Sequence, residues 1–146
     1  MFKHILIPSD GSELANKAVA AAVEFAREAG AKVTGYSAIH EPHFRHSHYE
    51  GIDNTIRTEL ERRARAAAED CLATVRDAAR AAGVEYQAHI TIADSPYRGI
   101  IAAANDCGCD VVFMASHGRS GLPGLFMGSV TQGVLTHSRI PVLVFR

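Results

Sequence analysis

Short apolar runs alternate along this chain with longer stretches in which apolar residues recur at helical spacing. The strands are predicted at residues 4–8, 32–39, 84–92, 111–115 and 141–145. The helices are predicted after Ser12, over residues 55–82, from Pro96 and after Gly128. Strictly alternating strands and helices are typical of a parallel sheet covered by helices on both faces.

The pattern of apolar residues along the longest predicted helix, residues 55–82, predicts which of its sides packs against the sheet. Its apolar stripe is predicted to comprise Ile56, Leu60, Ala64, Ala67, Cys71, Val75 and Ala79. Since most of these side chains are small, we expect the helix to lie close to the sheet along this stripe.

Composition narrows the class of protein without naming it. A chain of 146 residues, 47% hydrophobic and with a formal net charge of −1, predicts one domain over residues 1–146. The near-neutral charge argues against a nucleic-acid partner, and no apolar run reaches the roughly 20 residues that span a bilayer. The apolar stretch near the start is too short for a secretory signal, and three cysteines are few, so we predict a cytoplasmic location with no membrane partner.

A glycine-rich loop between the fourth strand and the last helix is the first candidate for chemistry. It contains Gly118, Gly121, Gly124 and Gly128. Glycines allow main-chain amides to approach an anion, and a helix start adds unpaired donors with a partial positive charge, so this order favours phosphate binding. Neither GxxxxGK[ST] nor a GxGxxG after the first strand is present, which excludes the two commonest phosphate-binding motifs.

Asp10 follows the first strand and is the second candidate. If the first and fourth strands are neighbours, the loops after them open into one crevice at the carboxyl end of the sheet, where such folds bind ligands. Asp10 can form part of a ligand site in this crevice. It can equally cap the following helix, a role for which Ser12 is also suited, and both interpretations stay open.

The segments ILIPSDGS and MASHGRSGLPGLFMGSVTQGVLTHSRIPVLV together resemble the universal stress protein family over the whole chain. The resemblance implies a three-layer α/β/α sandwich with a five-stranded parallel sheet of order 3-2-1-4-5, an adenine-nucleotide alpha-hydrolase-like fold. It also implies binding of ATP, with Mg²⁺ or Mn²⁺ carried on the phosphates, and a homodimer formed through the last strand.

The family motif is Gly, two residues, Gly, nine residues, Gly and then Ser or Thr, and it maps onto Ala115, Gly118, Gly128 and Ser129. If the first position needs a positive φ, alanine there raises the free energy of the folded backbone by roughly 1–2 kcal/mol. If it needs only a close approach, the alanine methyl group loosens the contact with the phosphate. The resemblance implies that the Asp10 carboxylate accepts hydrogen bonds from the ribose hydroxyls. It implies a nucleotide site formed by Pro8, Ser9, Asp10, Ala38, Met114, Ala115, His117, Gly118, Arg119, Ser120, Gly121, Gly128, Ser129, Val130 and Thr131.

Three functions remain open at this point. The first is a dimeric, regulatory ATP-binding protein with little or slow turnover. The others are an ATP-independent dimeric interaction module and a weak ATPase or autophosphorylating enzyme. His117 and Arg119 are candidates for proton transfer and charge neutralisation, and Ser129 for a nucleophile, but we favour packing and solvation and assign no catalytic residue.

Four histidines lie close together after the second strand: His40, His43, His46 and His48. Imidazoles at this density can hold zinc, copper or nickel. The alternative, which we favour, is a loop that gates the adenine pocket.

The last strand is strongly apolar and is expected at a sheet edge. Exposed apolar edges invite pairing with another chain, so we predict a homodimer interface there. Its residues are Pro141, Val142, Leu143, Val144 and Phe145.

Overall fold

Five strands and four helices alternate along the part of the chain that the computed structural model describes, residues 1–40, 54–119 and 127–146. The strands are β1 (His4–Pro8), β2 (Lys32–His40), β3 (Tyr86–Ala93), β4 (Val111–Ala115) and β5 (Val142–Phe145). The helices are α1 (Glu13–Ala29), α2 (Asn54–Ala81), α3 (Pro96–Asp106) and α4 (Ser129–His137). The predicted order of elements is confirmed, and the boundaries agree to within two residues.

The strands form one parallel sheet in the order β3-β2-β1-β4-β5, which confirms the predicted topology. The central strand is β1, where Ile5 pairs with Val33 of β2 on one side and with Val111 of β4 on the other. Strand order reverses beside β1, so the loops that follow β1 and β4 emerge next to each other at the carboxyl edge of the sheet.

Helices cover both faces of this sheet because successive side chains of a strand point to opposite sides. Ile5 and Ile7 pack into the core under α1 and α2, together with Val33. Leu6 and Val112 point the other way, into the core under α3 and α4. The result is the three-layer sandwich that the sequence predicted.

The predicted stripe of α2 is confirmed at Val75 and Ala79 and wrong at Ile56, Leu60 and Ala67, which are exposed. The residues buried on this helix are Ala68, Leu72, Val75 and Ala79. Ile56 and Leu60 are instead 53% and 43% exposed. At 28 residues α2 is about 42 Å long, whereas the nine residues of β2 span about 30 Å, so α2 is too long for the sheet to cover from end to end. No helix in the described ranges is both long and apolar enough to cross a membrane.

A buried polar contact lies at the opposite, amino edge of the sheet. His4 is 5% exposed, and its Nε2 lies 2.7 Å from Thr34 Oγ1, which also accepts a hydrogen bond from Gln87 Nε2 at 2.8 Å. Burial lowers the pKa of His4, with a smaller contribution in the same direction from the charge of Lys32. Burial in the core therefore favours the neutral form of the imidazole.

Candidate functional site

The loops after β1 and β4 meet at one carboxylate. Asp10 Oδ2 accepts a hydrogen bond from the main-chain amide of Arg119 at 2.8 Å, across 109 positions of sequence. Asp10 Oδ1 accepts from the amide of Ser12 at 3.0 Å. The two stretches that the sequence singled out therefore form one cleft, because β1 and β4 are adjacent strands.

Ser12, and not Asp10, caps the first helix. Its side chain accepts a hydrogen bond from the amide of Ala15 at 3.2 Å, and its backbone is extended, as an N-cap requires. The choice that the sequence left open is thus resolved by the structure: helix capping does not occupy Asp10, whose carboxylate faces the cleft loops.

On the β2 side of the cleft, Pro8 ends β1 and Ser9 lies directly after it. Ser9 is 7% exposed, and its amide donates to the Tyr36 carbonyl oxygen at 3.0 Å, which extends the pairing of β1 with β2 by one residue. Ala38 lies two residues beyond Tyr36 on β2 and is half-buried. This side of the cleft is therefore built from main chain fixed by the sheet.

Gly118 is required by close packing and not by its backbone angles. A Cβ atom built on it would lie 2.4 Å from Asp10 Oδ2, closer than side chains approach in proteins. Its φ is not in the left-handed region. Among the described residues, none accepts a hydrogen bond from the Gly118 amide, which lies beside the carboxylate.

The start of α4 supplies further amide donors. Gly128 is the N-cap residue, with φ −71° and ψ 152°, and its amide donates to the Ser116 carbonyl oxygen at 2.8 Å. The first amides of a helix have no partner within it, and no described side chain caps those of α4. Ser129, the first residue of the helix, is exposed, whereas Val130 is half-buried.

Ala115 is not strained, although the family motif has glycine here. It is the last residue of β4, and among the described residues only glycines have a positive φ. Its carbonyl oxygen accepts a hydrogen bond from Thr131 Oγ1 at 2.9 Å, with the threonine 3% exposed. Alanine therefore brings no backbone penalty, and its methyl group is the only difference from glycine.

His117 and Arg119 have different surroundings. The His117 Nδ1 lies 3.0 Å from the hydroxyl of Ser116, a residue that is 2% exposed. The side chains of Arg119 and Cys71 both approach Gly11, where a built Cβ would lie 3.2 Å from Arg119 Nη2 and 3.1 Å from Cys71 Sγ. Burial raises the pKa of Cys71, and the charge of Arg119 opposes this.

Ser116 and Cys71 lie at the cleft but were not among the predicted site residues. Ser116 stands between the predicted site residues Ala115 and His117, so its position in the sequence could have identified it. Cys71 falls within a helical apolar pattern, where nothing in the sequence distinguishes contact with a loop from contact with the core.

The remaining predicted site residues lie in the core, on the surface or outside the described ranges. Met114 is 5% exposed and belongs to the core beneath α3 and α4. His40 is exposed at the end of β2. Five predicted residues lie outside the described ranges: His43, His46, His48, Ser120 and Gly121. Within those ranges, no group of three or more His, Cys, Asp or Glu side chains is arranged to hold a metal ion.

The cleft therefore combines a carboxylate acceptor, main-chain amides and a helix start at the switch point of a doubly wound sheet, which is the place where α/β proteins of this class bind ligands. The model of the universal stress protein family matches residues 1–146. A universal stress protein of Thermus aquaticus is 30% identical over 146 residues, covering 100% of both chains. The chain belongs to the universal stress protein family.

Solved structures support the same assignment. A universal stress protein of Methanocaldococcus jannaschii is 39% identical over 57 residues, which span 39% of this chain and only 35% of that protein. Its solved structure superimposes with a TM-score of 0.77 at 30% identity, over 99% of this chain and 95% of that one.

Two more distant solved structures are of universal stress proteins in complex with nucleotides. One holds cAMP (22% identity, TM-score 0.71, 99% of this chain and 97% of that one). The other, from Archaeoglobus fulgidus, holds dAMP (17% identity, TM-score 0.70, 100% and 98%). At these identities the likeness shows the fold.

Proposed function

We propose that this protein binds an adenine nucleotide, with ATP as the preferred ligand, and acts as a regulatory protein with little or slow turnover. The observation that carries the proposal is the 2.8 Å hydrogen bond from the Arg119 amide to Asp10, since it joins the predicted sugar-binding and phosphate-binding loops in one cleft. The cAMP and dAMP complexes of related proteins support an adenylate as the class of ligand.

The proposed roles follow from the chemistry of the residues on each side of the cleft. Asp10 accepts hydrogen bonds from the sugar hydroxyls, because a carboxylate binds a diol well. Gly118 and Ser129 face the phosphates with amide and hydroxyl donors. Gly128 lies beside the phosphates as the N-cap of α4, with its own amide bonded to the Ser116 carbonyl oxygen. The adenine lies toward Ala38.

The glycine at position 118 is consistent with such a site, because the missing side chain allows the loop after β4 to pack directly against the Asp10 carboxylate. Mg²⁺ or Mn²⁺ would be carried on the phosphates, which neutralises part of their charge. A location in the cytoplasm stays a prediction from the sequence.

Binding and turnover are tested together. Purified protein is denatured and its extract analysed for nucleotide, then titrated calorimetrically with ATP, ADP, cAMP and adenosine, and phosphate release from Mg·ATP is counted. Bound ATP with release far below one phosphate per minute supports a regulatory binder. Rapid release would favour the enzyme alternative, and indifference to every adenylate at millimolar concentration would leave only the interaction module.

Ser129→Ala separates phosphate recognition from the rest of the site. We expect it to weaken ATP binding about tenfold, equivalent to about 1.4 kcal/mol, and to leave adenosine binding unchanged. Thr136→Ala is the matched control, since Thr136 is exposed on the same helix and its hydroxyl bonds only within it, to the Gln132 carbonyl oxygen. Equal loss of ATP and adenosine binding would contradict the phosphate role of Ser129.

We also propose a homodimer through β5. This strand lies at the edge of the sheet, and its four residues are apolar and only half-buried. The Pro141 carbonyl oxygen accepts from the Val112 amide of β4, and the Phe145 carbonyl oxygen accepts from the amide of Ser116, directly after β4. The amides of Val142 and Val144 therefore point toward the open edge.

Val144→Pro removes one of these outward amides and leaves the bonds to β4 intact. We expect light scattering to give about twice the 15.7 kDa chain mass for the wild type and the single mass for Val144→Pro. Val144→Thr keeps the amide and should stay dimeric. A wild-type monomer would refute the interface.

A further inference from the structure

We propose that Asp10 is a positioning residue for the Gly118–Arg119 turn that begins the loop after β4, and that through it recognition of the sugar is coupled to binding of the phosphates. This inference rests on the proposed nucleotide function and adds to it. In that function Asp10 is only an acceptor for sugar hydroxyls.

The first support is that both oxygens of the carboxylate are already engaged by main chain. Oδ1 holds the amide of Ser12 in its own loop, and Oδ2 holds the amide of Arg119 in the other. A carboxylate offers about four acceptor sites, so two remain for a diol. The same group can therefore fix the two loops and bind a sugar.

The second support is the packing of Gly118 on that carboxylate. The absent side chain allows the Gly118–Arg119 peptide to lie directly against Oδ2, where a Cβ would be only 2.4 Å away. Because the Arg119 amide is taken by Asp10, the amide that this turn presents to a ligand is that of Gly118. The carboxylate thus sets the orientation of a proposed phosphate donor.

The third support is electrostatic. A negative charge beside a phosphate site weakens binding of an anion. If Asp10 touched only the sugar, its neutralisation would leave a sugar-free polyphosphate bound equally well or more tightly. If Asp10 positions the loop, neutralisation weakens that binding in spite of the removed repulsion. The two roles therefore predict opposite signs.

Asp10→Asn tests this directly. An asparagine has the same size as the aspartate, but its side chain has only one acceptor oxygen, whereas the amides of Ser12 and Arg119 each bond to a separate oxygen. Two readouts are measured: hydrogen exchange of the Arg119 amide in ligand-free protein, and affinity for inorganic tripolyphosphate. We expect exchange at least tenfold faster and tripolyphosphate binding at least tenfold weaker. Ser12→Ala is the control, since it removes the cap of α1 but leaves the carboxylate and both of its amide donors, and it should change neither.

Unchanged exchange at Arg119, or tripolyphosphate bound as tightly or more tightly by Asp10→Asn, would overturn the inference. If the wild type binds neither tripolyphosphate nor any adenylate, the proposed function fails. The positioning of the loop is then decided by the exchange rate alone, where a tenfold increase supports it and no change refutes it.

Discussion

An alanine at position 118 tests how closely the two loops of the cleft pack. The built Cβ lies 2.4 Å from Asp10 Oδ2 and 3.5 Å from Cγ, so the carboxylate or the Gly118 backbone must move. Since the φ of Gly118 is one that alanine adopts, the cost comes from this contact and not from the backbone.

Moving the carboxylate away lengthens or breaks its bond to the Arg119 amide. Hydrogen bonds to charged groups contribute about 1.5–3 kcal/mol, so we expect Gly118→Ala to lower the free energy of unfolding by about this amount. Urea denaturation followed by circular dichroism measures the change. If the urea concentration at the midpoint falls while the dependence of the unfolding free energy on urea stays the same, the variant has lost stability without a change in the unfolded state.

A double-mutant cycle with Asp10→Ala identifies the cause. Without the carboxylate the alanine methyl group has room, so the double variant should be no less stable than Asp10→Ala alone. Either a fully stable Gly118→Ala or a penalty that persists in the Asp10→Ala background would refute the packing argument.

Three further predictions concern other parts of the fold. Gly133→Ala would place a Cβ 2.5 Å from the ring of Tyr97, and we expect urea denaturation to show a loss of about 1–3 kcal/mol from overpacking. Thr131→Val removes the hydrogen bond to the Ala115 carbonyl oxygen at nearly constant volume, and should cost about 1 kcal/mol in the same assay. Burial lowers the pKa of His4, so below the ordinary value of about 6.5 the unfolded chain binds a proton that the folded chain resists. Stability should therefore fall as the pH is lowered from 7.5 to 5.5, and less steeply in His4→Gln; equal slopes would contradict this.

The alternation of strands and helices was predictable because it depends on local periodicity. Strand β1, for example, is a branched apolar run bounded by turn residues, and Gly30 ends α1 in the left-handed conformation that favours glycine. The resemblance carried by the two motifs also gave the strand order and the family. The stripe of α2 could not be predicted well, because Ala67 and Ala68 are equivalent in sequence and only contact with the sheet separates them.

For the candidate site, the sequence indicated the pieces but not their contacts. Asp10 and Ser12 were both plausible caps, since either side chain reaches the first amides of α1. Only the packed structure assigns the cap to Ser12 and brings Asp10 to the Arg119 amide.

The sequence by itself determined the class of fold, the family and the two loops that carry the proposed chemistry, because these depend on residue type and on spacing along the chain. The tertiary structure decided that Ala115 is unstrained, that Gly118 is needed for contact with Asp10, and that one carboxylate joins the two loops. The last two facts concern atoms more than a hundred residues apart in sequence, and only the pairing of β1 with β4 brings such atoms within hydrogen-bonding distance.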